Sequence, residues 1–375
     1  MDPRPVPRPM RVLHVLNELR PSGAEVMLRS AAAQWEVHGI EADVLAVAPT
    51  PGVFAEDLRS AGYGVLHDGA PLRRVPARLR HLVASGRYDV VHLHAERGNF
   101  YFALAALSAG AAVVRTVHGI FGFQGLLRAE RTLQRLILSR VGVLHVCVGS
   151  STADNERRRF GNPSEIVENW YDGSFRPPTP QERVRARTAL GLDHRDMVAV
   201  SVGNCAPVKR HEAILEAMAH PAGPPHLVYL HVGEEDVECS ERGLAARLGV
   251  ADRVRFLGHG HPLTALHAAD VFVMPSVREG LGLAAVEALA TGLPAVLADA
   301  PGLRDVAGAS PAASLTDVAP EHLAAAISSA ARPPLGVRAG AGGESPTLQD
   351  RFGMPRGVAR YAEVYQRTAR RKERL

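Results

Sequence analysis

Asp270-Val271-Phe272-Val273-Met274-Pro275-Ser276-Val277-Arg278-Glu279-Gly280-Leu281-Gly282-Leu283-Ala284-Ala285-Val286-Glu287-Ala288-Leu289-Ala290-Thr291-Gly292-Leu293-Pro294 is the stretch from which the rest of the chain is read. Its first five residues form an apolar β-type run. Two glycines follow, and the Ala/Leu-rich segment after them predicts a helix that Gly292 stops and Pro294 keeps from resuming. Glycines let a ligand approach the backbone where a Cβ would block it, and a helix starting there presents unpaired N–H groups and a partial positive charge. Strand, glycine turn and helix in that order predict an anion site suited to phosphate. Two carboxylates bracket it, Glu279 before the glycines and Glu287 inside the helix. About six helical residues of rise between them, roughly 9 Å, suit the two ends of a nucleotide sugar.

At 375 residues the chain exceeds what one hydrophobic core usually serves, so two domains are expected. Its 46% apolar and 22% charged residues supply both. A net charge of +4, with the basic residues dispersed, gives no electrostatic case for nucleic acid. Cys147, Cys205 and Cys239 lie far apart without metal-ligand spacing and read as reduced thiols of a cytoplasmic protein. The acidic run Glu234-Glu235-Asp236 reads as a solvated loop, so no metal and no cofactor is expected. The opening Pro/Arg segment lacks the apolar core of a signal peptide, and no run approaches the ~18 apolar residues of a membrane span. Any membrane contact would be peripheral, at the inner membrane face.

Outward from that stretch, Arg11–Leu16 reads as a strand, Pro21–Glu25 as a turn, Val26–Val37 as a helix and Glu41–Val47 as a second strand. This β-turn-α-β order predicts a parallel sheet. Further strands are expected at Val65-Leu66, Asp89–His94, Ala112–Gly119 and Val141–Val148, with an arginine-rich helix over Pro76–Ser85 read as a solvated face. The basic stretch Arg128–Arg140 reads as an ordinary surface helix, although its leucines leave lipid contact open. In an open α/β sheet ligands bind beyond the carboxyl ends of the strands, which places His94 and His118 toward a cleft. Asn169–Pro178 is the connector by its turn chemistry. The second half repeats the pattern, with strands at Met197–Gly203, Leu227–Gly233 and Arg253–Leu257 ahead of the opening stretch. Residues 333–347, rich in Pro, Gly and Ala, read as a flexible loop, and an amphipathic last helix follows from about Val358 to Arg371.

The 270–294 stretch resembles the Glu-x7-Glu signature of retaining, GT-B-fold glycosyltransferases of family 4, including the Pro-Ser before it and the Glu-Ala-Leu-Ala-Thr-Gly-Leu-Pro after it. The resemblance implies two Rossmann-like parallel-sheet domains facing a cleft: residues 1–172 on the acceptor side, 173–355 on the donor side, and a helix at 356–375 returning to the first domain. It puts Glu279 beside the donor hexose and Glu287 on the nucleotide ribose, with Gly280, Leu281, Gly282 and Leu283 at the diphosphate. Gly23-Ala24-Glu25 resembles the family's Gly-Gly-Ala-Glu loop, near the diphosphate and the acceptor, with Ser22 in place of the first glycine. Thr116-Val117-His118-Gly119 is similar to the T-x-H segment whose histidine contacts the donor sugar. Asn204 to His211 resembles the Gly-Arg-x-x-x-x-Lys-Gly segment whose arginine and lysine grip the diphosphate. Lys209 matches in place, Asn204 stands where the family has arginine, and Arg210 is the nearby guanidinium that could substitute. The turn at Gly258 resembles the one that reads the base through backbone contacts.

As to activity, the resemblance implies transfer of a hexosyl-type sugar from a nucleotide-diphosphate sugar, UDP rather than GDP, with retention of configuration. The acceptor hydroxyl would belong to a small molecule, a lipid-linked species or a glycan. Lys209, Glu279 and His118 are the expected catalytic group. The competing expectations are a non-catalytic GT-B subunit that binds a nucleotide sugar or a partner enzyme, and a nucleotide-sugar epimerase. Oligomeric state is not legible in the sequence.

Overall fold

The computed structural model describes residues 8–238, 240–331 and 346–373. Cys239 lies outside them, as does the loop expected over 333–347 as far as residue 345. Two compact units divide the chain. One runs to Trp170 and resumes at Met354, and the other is Tyr171–Gly353.

The first unit is built on seven parallel strands: β1 (Met10–Leu16), β2 (Ile40–Ala46), β3 (Gly64–His67), β4 (Val90–Leu93), β5 (Ala112–Val117), β6 (Leu144–Cys147) and β7 (Glu165–Ile166). They lie in the order β3-β2-β1-β4-β5-β6-β7. The central strands are near-continuous apolar runs because helices cover both faces of a parallel sheet. Register sets His14 of β1 directly opposite His92 of β4, and the ladder continues past β4 as His94 N–H donates to the Val15 carbonyl at 3.0 Å. The expected turn Pro21–Glu25 is shorter in the structure, for the first helix begins at Gly23 and runs to Val37.

Two helix readings change. The arginine-rich helix spans Val75–Gly86 and does present Arg78 and Arg80 to solvent, but it seats Val75, Leu79 and Val83 in the core. The basic helix spans Gly125–Arg140 and is not wholly a surface element, because Arg135 is buried. Burying a guanidinium requires carboxylate partners, and Glu156 and Glu96 supply them at 2.8 and 3.0 Å. Leu126, Leu127, Leu133 and Leu136 of the same helix are exposed.

The last helix, Met354–Glu373, belongs to the first unit. Val358, Tyr361, Val364 and Tyr365 recur at helical spacing and are buried in one cluster with Trp35 and Trp170. Gly357 makes the approach possible, since a Cβ there would fall 2.1 Å from Trp170 Cε3. Its basic end is not all solvated, because Lys372 Nζ donates to the Ala111 carbonyl at 2.8 Å.

Six parallel strands make the second unit: β8 (Met197–Val202), β9 (Leu227–Val232), β10 (Val254–Phe256), β11 (Val271–Met274), β12 (Ala295–Ala298) and β13 (Ala313–Thr316), ordered β10-β9-β8-β11-β12-β13. Its first helix, Pro180–Ala189, opens with a capping box between Thr179 and Glu182. Arg183 from that helix reaches Asp270 at 2.8 Å, and Asp270 accepts from Val198 N–H at 2.9 Å, fixing the start of β11 beside β8. Both units are therefore Rossmann-like parallel sheets. Among the described residues no helix is long and apolar enough to cross a membrane.

Candidate functional site

In the second unit the site forms where β8 and β11 end. After β8 the chain turns through Gly203 to Arg210. Lys209 and Arg210 N–H both donate to the Ala206 carbonyl, at 2.8 and 3.4 Å, and Arg210 takes a left-handed conformation with φ 60°. After β11 the chain passes Val277, whose N–H donates to the Val208 carbonyl at 2.9 Å, so the lysine turn and the signature loop are tied together. The tie brings Lys209 Nζ to 2.8 Å from Glu279 Oε1. Two residues expected in the catalytic group thus form an ion pair, partly open to solvent at 25% and 14% side-chain exposure.

Glycine geometry sets the rest of this loop. Gly302 has φ +84°, and a Cβ on it would sit 2.3 Å from the Glu279 carbonyl oxygen. Glu279 N–H in turn donates to the Pro301 carbonyl at 3.0 Å. Gly282 has φ +90°, and its Cβ would meet Leu303 Cδ2 at 2.7 Å. That left-handed residue is the N-cap, so the helix is Leu283–Ala290 and starts directly after the second glycine. The six helical residues expected between Glu279 and Glu287 are consequently replaced by a loop and one turn of helix. Leu283 and Ala284, at its first turn, have N–H groups with no partner inside the helix. Leu281 is buried, and Glu287 is buried on the helix.

Other residues named from the sequence are placed differently. Asn204 is exposed, and its Oδ1 accepts from Glu234 N–H at 3.0 Å, so the residue standing for the family's arginine braces the end of β9. Arg210 is exposed, and its guanidinium makes no hydrogen bond or ion pair among the described residues. The Gly258 carbonyl is taken by Gly233 N–H at 2.9 Å.

In the first unit a chain of histidines leads outward from the sheet. His14 Nδ1 lies 3.0 Å from His94 Nε2, and His94 Nδ1 lies 2.8 Å from His118 Nε2. Burial holds His14 down at about 3 and His118 at about 4, with Arg115 adding to the second shift, and lowers His94 well below the ordinary range. All three are neutral near pH 7. His14 Nε2 is buried without a partner, and an orphaned lone pair costs less than an orphaned N–H. His14 therefore donates from Nδ1, His94 donates from Nδ1 to His118, and His118 keeps its proton on Nδ1, at the half-buried end of the chain. As a neutral donor it can hold a hydroxyl; it is not a cation.

His92 sits behind this chain, with Nδ1 2.7 Å from Tyr365 Oη and Nε2 2.7 Å from Thr116 Oγ1. Gly23 and Ala24 open the first helix, and Glu25 is buried there against the Ser22 hydroxyl. Burial raises the Glu25 carboxyl to about 7, against the lowering effect of Ser22.

His14 and His92 are hidden in the sequence because each sits inside an apolar strand run; the shared feature that could have found them is the His-x-His at 92 and 94, with a third histidine on the neighbouring strand. Buried Arg115, Arg135 and Glu156, with half-buried Glu96, form a group of two cations and two anions that was equally illegible.

Residues 182–334 match the family described as glycosyl transferases group 1, and residues 21–174 match the one described as glycosyltransferase family 4. EpsF of Bacillus subtilis (strain 168), named as a glycosyltransferase, is 28% identical over 77% of this chain and 79% of its own length. The D-inositol 3-phosphate glycosyltransferase of Rhodococcus opacus (strain B4) is 28% identical over 75% of this chain and 71% of its own. Among solved structures, Anabaena HepE in complex with UDP and glucose superposes with a TM-score of 0.81 at 19% identity, covering 95% of this chain and 99% of that one. Sequence and fold agree on a class: a GT-B-fold glycosyltransferase. Within that class, the chain belongs to the glycosyltransferases of family 4 type.

Proposed function

We propose that this glycosyltransferase moves a hexosyl-type sugar from a nucleotide-diphosphate sugar, UDP rather than GDP, to an acceptor hydroxyl with retention of configuration and without a metal in the chemistry. The observation that carries the reading is the Lys209–Glu279 pair, held at 2.8 Å on a loop whose glycines let it pack tightly beside the start of the helix Leu283–Ala290. In the resting pair Glu279 holds the ammonium in place. A diphosphate arriving at Leu283 and Ala284 N–H draws the ammonium toward itself and frees the carboxylate to accept from sugar hydroxyls. Negative charge developing on the leaving diphosphate then meets Lys209, the exposed Arg210 and the helix N-terminus. The departing phosphate oxygen takes the acceptor proton as the acceptor oxygen bonds the anomeric carbon on the same face. Glu287 binds the ribose, Gly258 the base, and the Nδ1–H of His118 a donor-sugar hydroxyl. Gly23, Ala24, Glu25 and His94 serve the acceptor side. That HepE is described with UDP and glucose supports a uridine donor.

A donor screen with released nucleoside diphosphate as readout tests this, followed by proton NMR of the product's anomeric coupling. Turnover with a uridine donor and an unchanged anomeric configuration are expected; an inverted product overturns the retention assignment. Asn204 favours one alternative, a non-catalytic subunit, because its side chain supplies no charge and is spent on Glu234. Tight nucleotide binding with no turnover over a broad acceptor panel, and no donor hydrolysis, would select that alternative.

A further inference from the structure

Behind the lysine turn lies a second cluster that the transfer reaction does not use. Cys205 and His211 flank the turn at its two ends, His231 comes from β9, and Glu241 from the helix Ser240–Arg247. Their ligand atoms all lie within 4.8 Å of one another. Glu241 Oε2 is 3.2 Å from His231 Nδ1, Glu241 Oε1 is 3.3 Å from His211 Nδ1, and Cys205 Sγ is 3.8 Å from His231 Nδ1. Tetrahedral zinc with its usual bond lengths separates such donor atoms by about 3.3–3.6 Å.

Hydrogen bonding alone leaves the cluster unsatisfied. His231 Nε2 lies 2.8 Å from the Gly203 carbonyl, which can only accept, so the proton of a neutral His231 is on Nε2. The Nδ1 lone pair then takes the Cys205 thiol as donor at 3.8 Å, while Glu241 Oε2 stands closer against it at 3.2 Å, acceptor against acceptor. Both His211 Nδ1 and Glu241 Oε2 are buried without a hydrogen-bond partner. Groups this buried normally find one. A cation in their midst removes every conflict at once, and the bond from His231 Nε2 to a backbone carbonyl is the outer support that metal-bound imidazoles carry.

We propose that Cys205, His211, His231 and Glu241 bind one zinc-class divalent ion. One thiolate, two imidazoles and a carboxylate suit zinc over the hard cations. On binding, Cys205 releases its thiol proton to solvent and the sulfur lone pair takes up the metal bond. Four protein ligands close the site, so the ion is structural. It staples both ends of the turn that carries Lys209 to β9 and to the helix behind it. No metal-ligand spacing is visible in the sequence because the four ligands come from three separate elements.

The test uses the full chain without a polyhistidine tag, expressed with zinc supplied. Elemental analysis after exhaustive dialysis is expected to find about one zinc per chain. Exchange for cobalt(II) is expected to give a thiolate-to-cobalt charge-transfer band that is lost in Cys205→Ser and kept in Cys147→Ser. Chelator competition, which does not depend on the thiol, is expected to show Glu241→Gln binding zinc at least about tenfold more weakly. The proposal is overturned if the folded parent holds less than about a tenth of an equivalent and cobalt gives no thiolate band. It is equally overturned if the band survives Cys205→Ser.

Discussion

Lys209 and Glu279, separated by 70 residues in sequence, meet at 2.8 Å through the backbone bond between Val277 and Val208. Because the pair is partly open to water, its contribution to stability is at most about 1 kcal/mol. Its contribution to turnover should be far larger. Lys209→Ala and Glu279→Ala are each expected to lower kcat by about 100- to 1,000-fold while leaving Tm nearly unchanged. The double variant should lose less than the product of the two, since the residues act on one another. Coupled detection of released nucleoside diphosphate, with thermal melts alongside, measures both.

Asn204 and Arg210 should separate into a brace and a contact. Asn204→Ala removes the acceptor for Glu234 N–H and is expected to cost about 1 kcal/mol of stability. Arg210→Ala, in an exposed side chain, should leave stability alone and weaken nucleoside diphosphate binding by about tenfold, the size of a lost charge-assisted bond. Calorimetric titration with UDP distinguishes them; equal affinity in Arg210→Ala would remove that residue from the donor site.

Gly302→Ala puts a methyl group 2.3 Å from the Glu279 carbonyl in a left-handed conformation. Backbone cannot give way there as a flexible side chain can, so about 1–3 kcal/mol of destabilisation is expected, or several degrees in Tm. Activity should fall further than stability explains, because the methyl displaces Glu279. Gly62→Ala is the comparison: its φ is +111° but nothing lies within 4 Å of its Cβ, so it carries backbone strain alone.

The histidine chain predicts acid lability. Below about pH 6.5 the unfolded chain protonates its histidines, while native His118 resists to about pH 4 and native His14 to about pH 3. The unfolded state binds more protons in that window, so stability falls with pH by up to about 1.4 kcal/mol per unit for each histidine. Glu25, raised to about 7, acts in the opposite sense, because its native form holds a proton that the unfolded form has lost. With His92 and His94 also lowered, the histidines outnumber it. Urea unfolding at pH 5 should give a stability at least about 2 kcal/mol below that at pH 7. A flat profile would contradict the neutral assignment.

The architecture was legible because strands and glycine turns write themselves in short windows: β11 and the turn after it are plain in Val271–Met274 and the glycines beyond it. Lys209 and Glu279 were legible through their segments. What could not be read was any arrangement that depends on register or on side-chain direction. His14 meets His94 because β1 pairs with β4, and nothing local to either residue says so. Arg135 looks like its exposed neighbours in a basic run until Glu156 is placed beside it. The helical span between Glu279 and Glu287 was overcounted because nothing local shows that Gly282 takes the left-handed conformation that holds the helix back to Leu283.

Because Met354–Glu373 completes the core around Trp35 and Trp170, the first unit is discontinuous in the chain. During synthesis, the intervening Tyr171–Gly353 leaves the ribosome with all its own residues, whereas the earlier portion must wait for the final twenty-residue helix with its tryptophans uncovered. The portion translated first is thus the one finished last, and a stop codon shortly before Met354 would leave an otherwise whole second unit attached to a first that never closes its core.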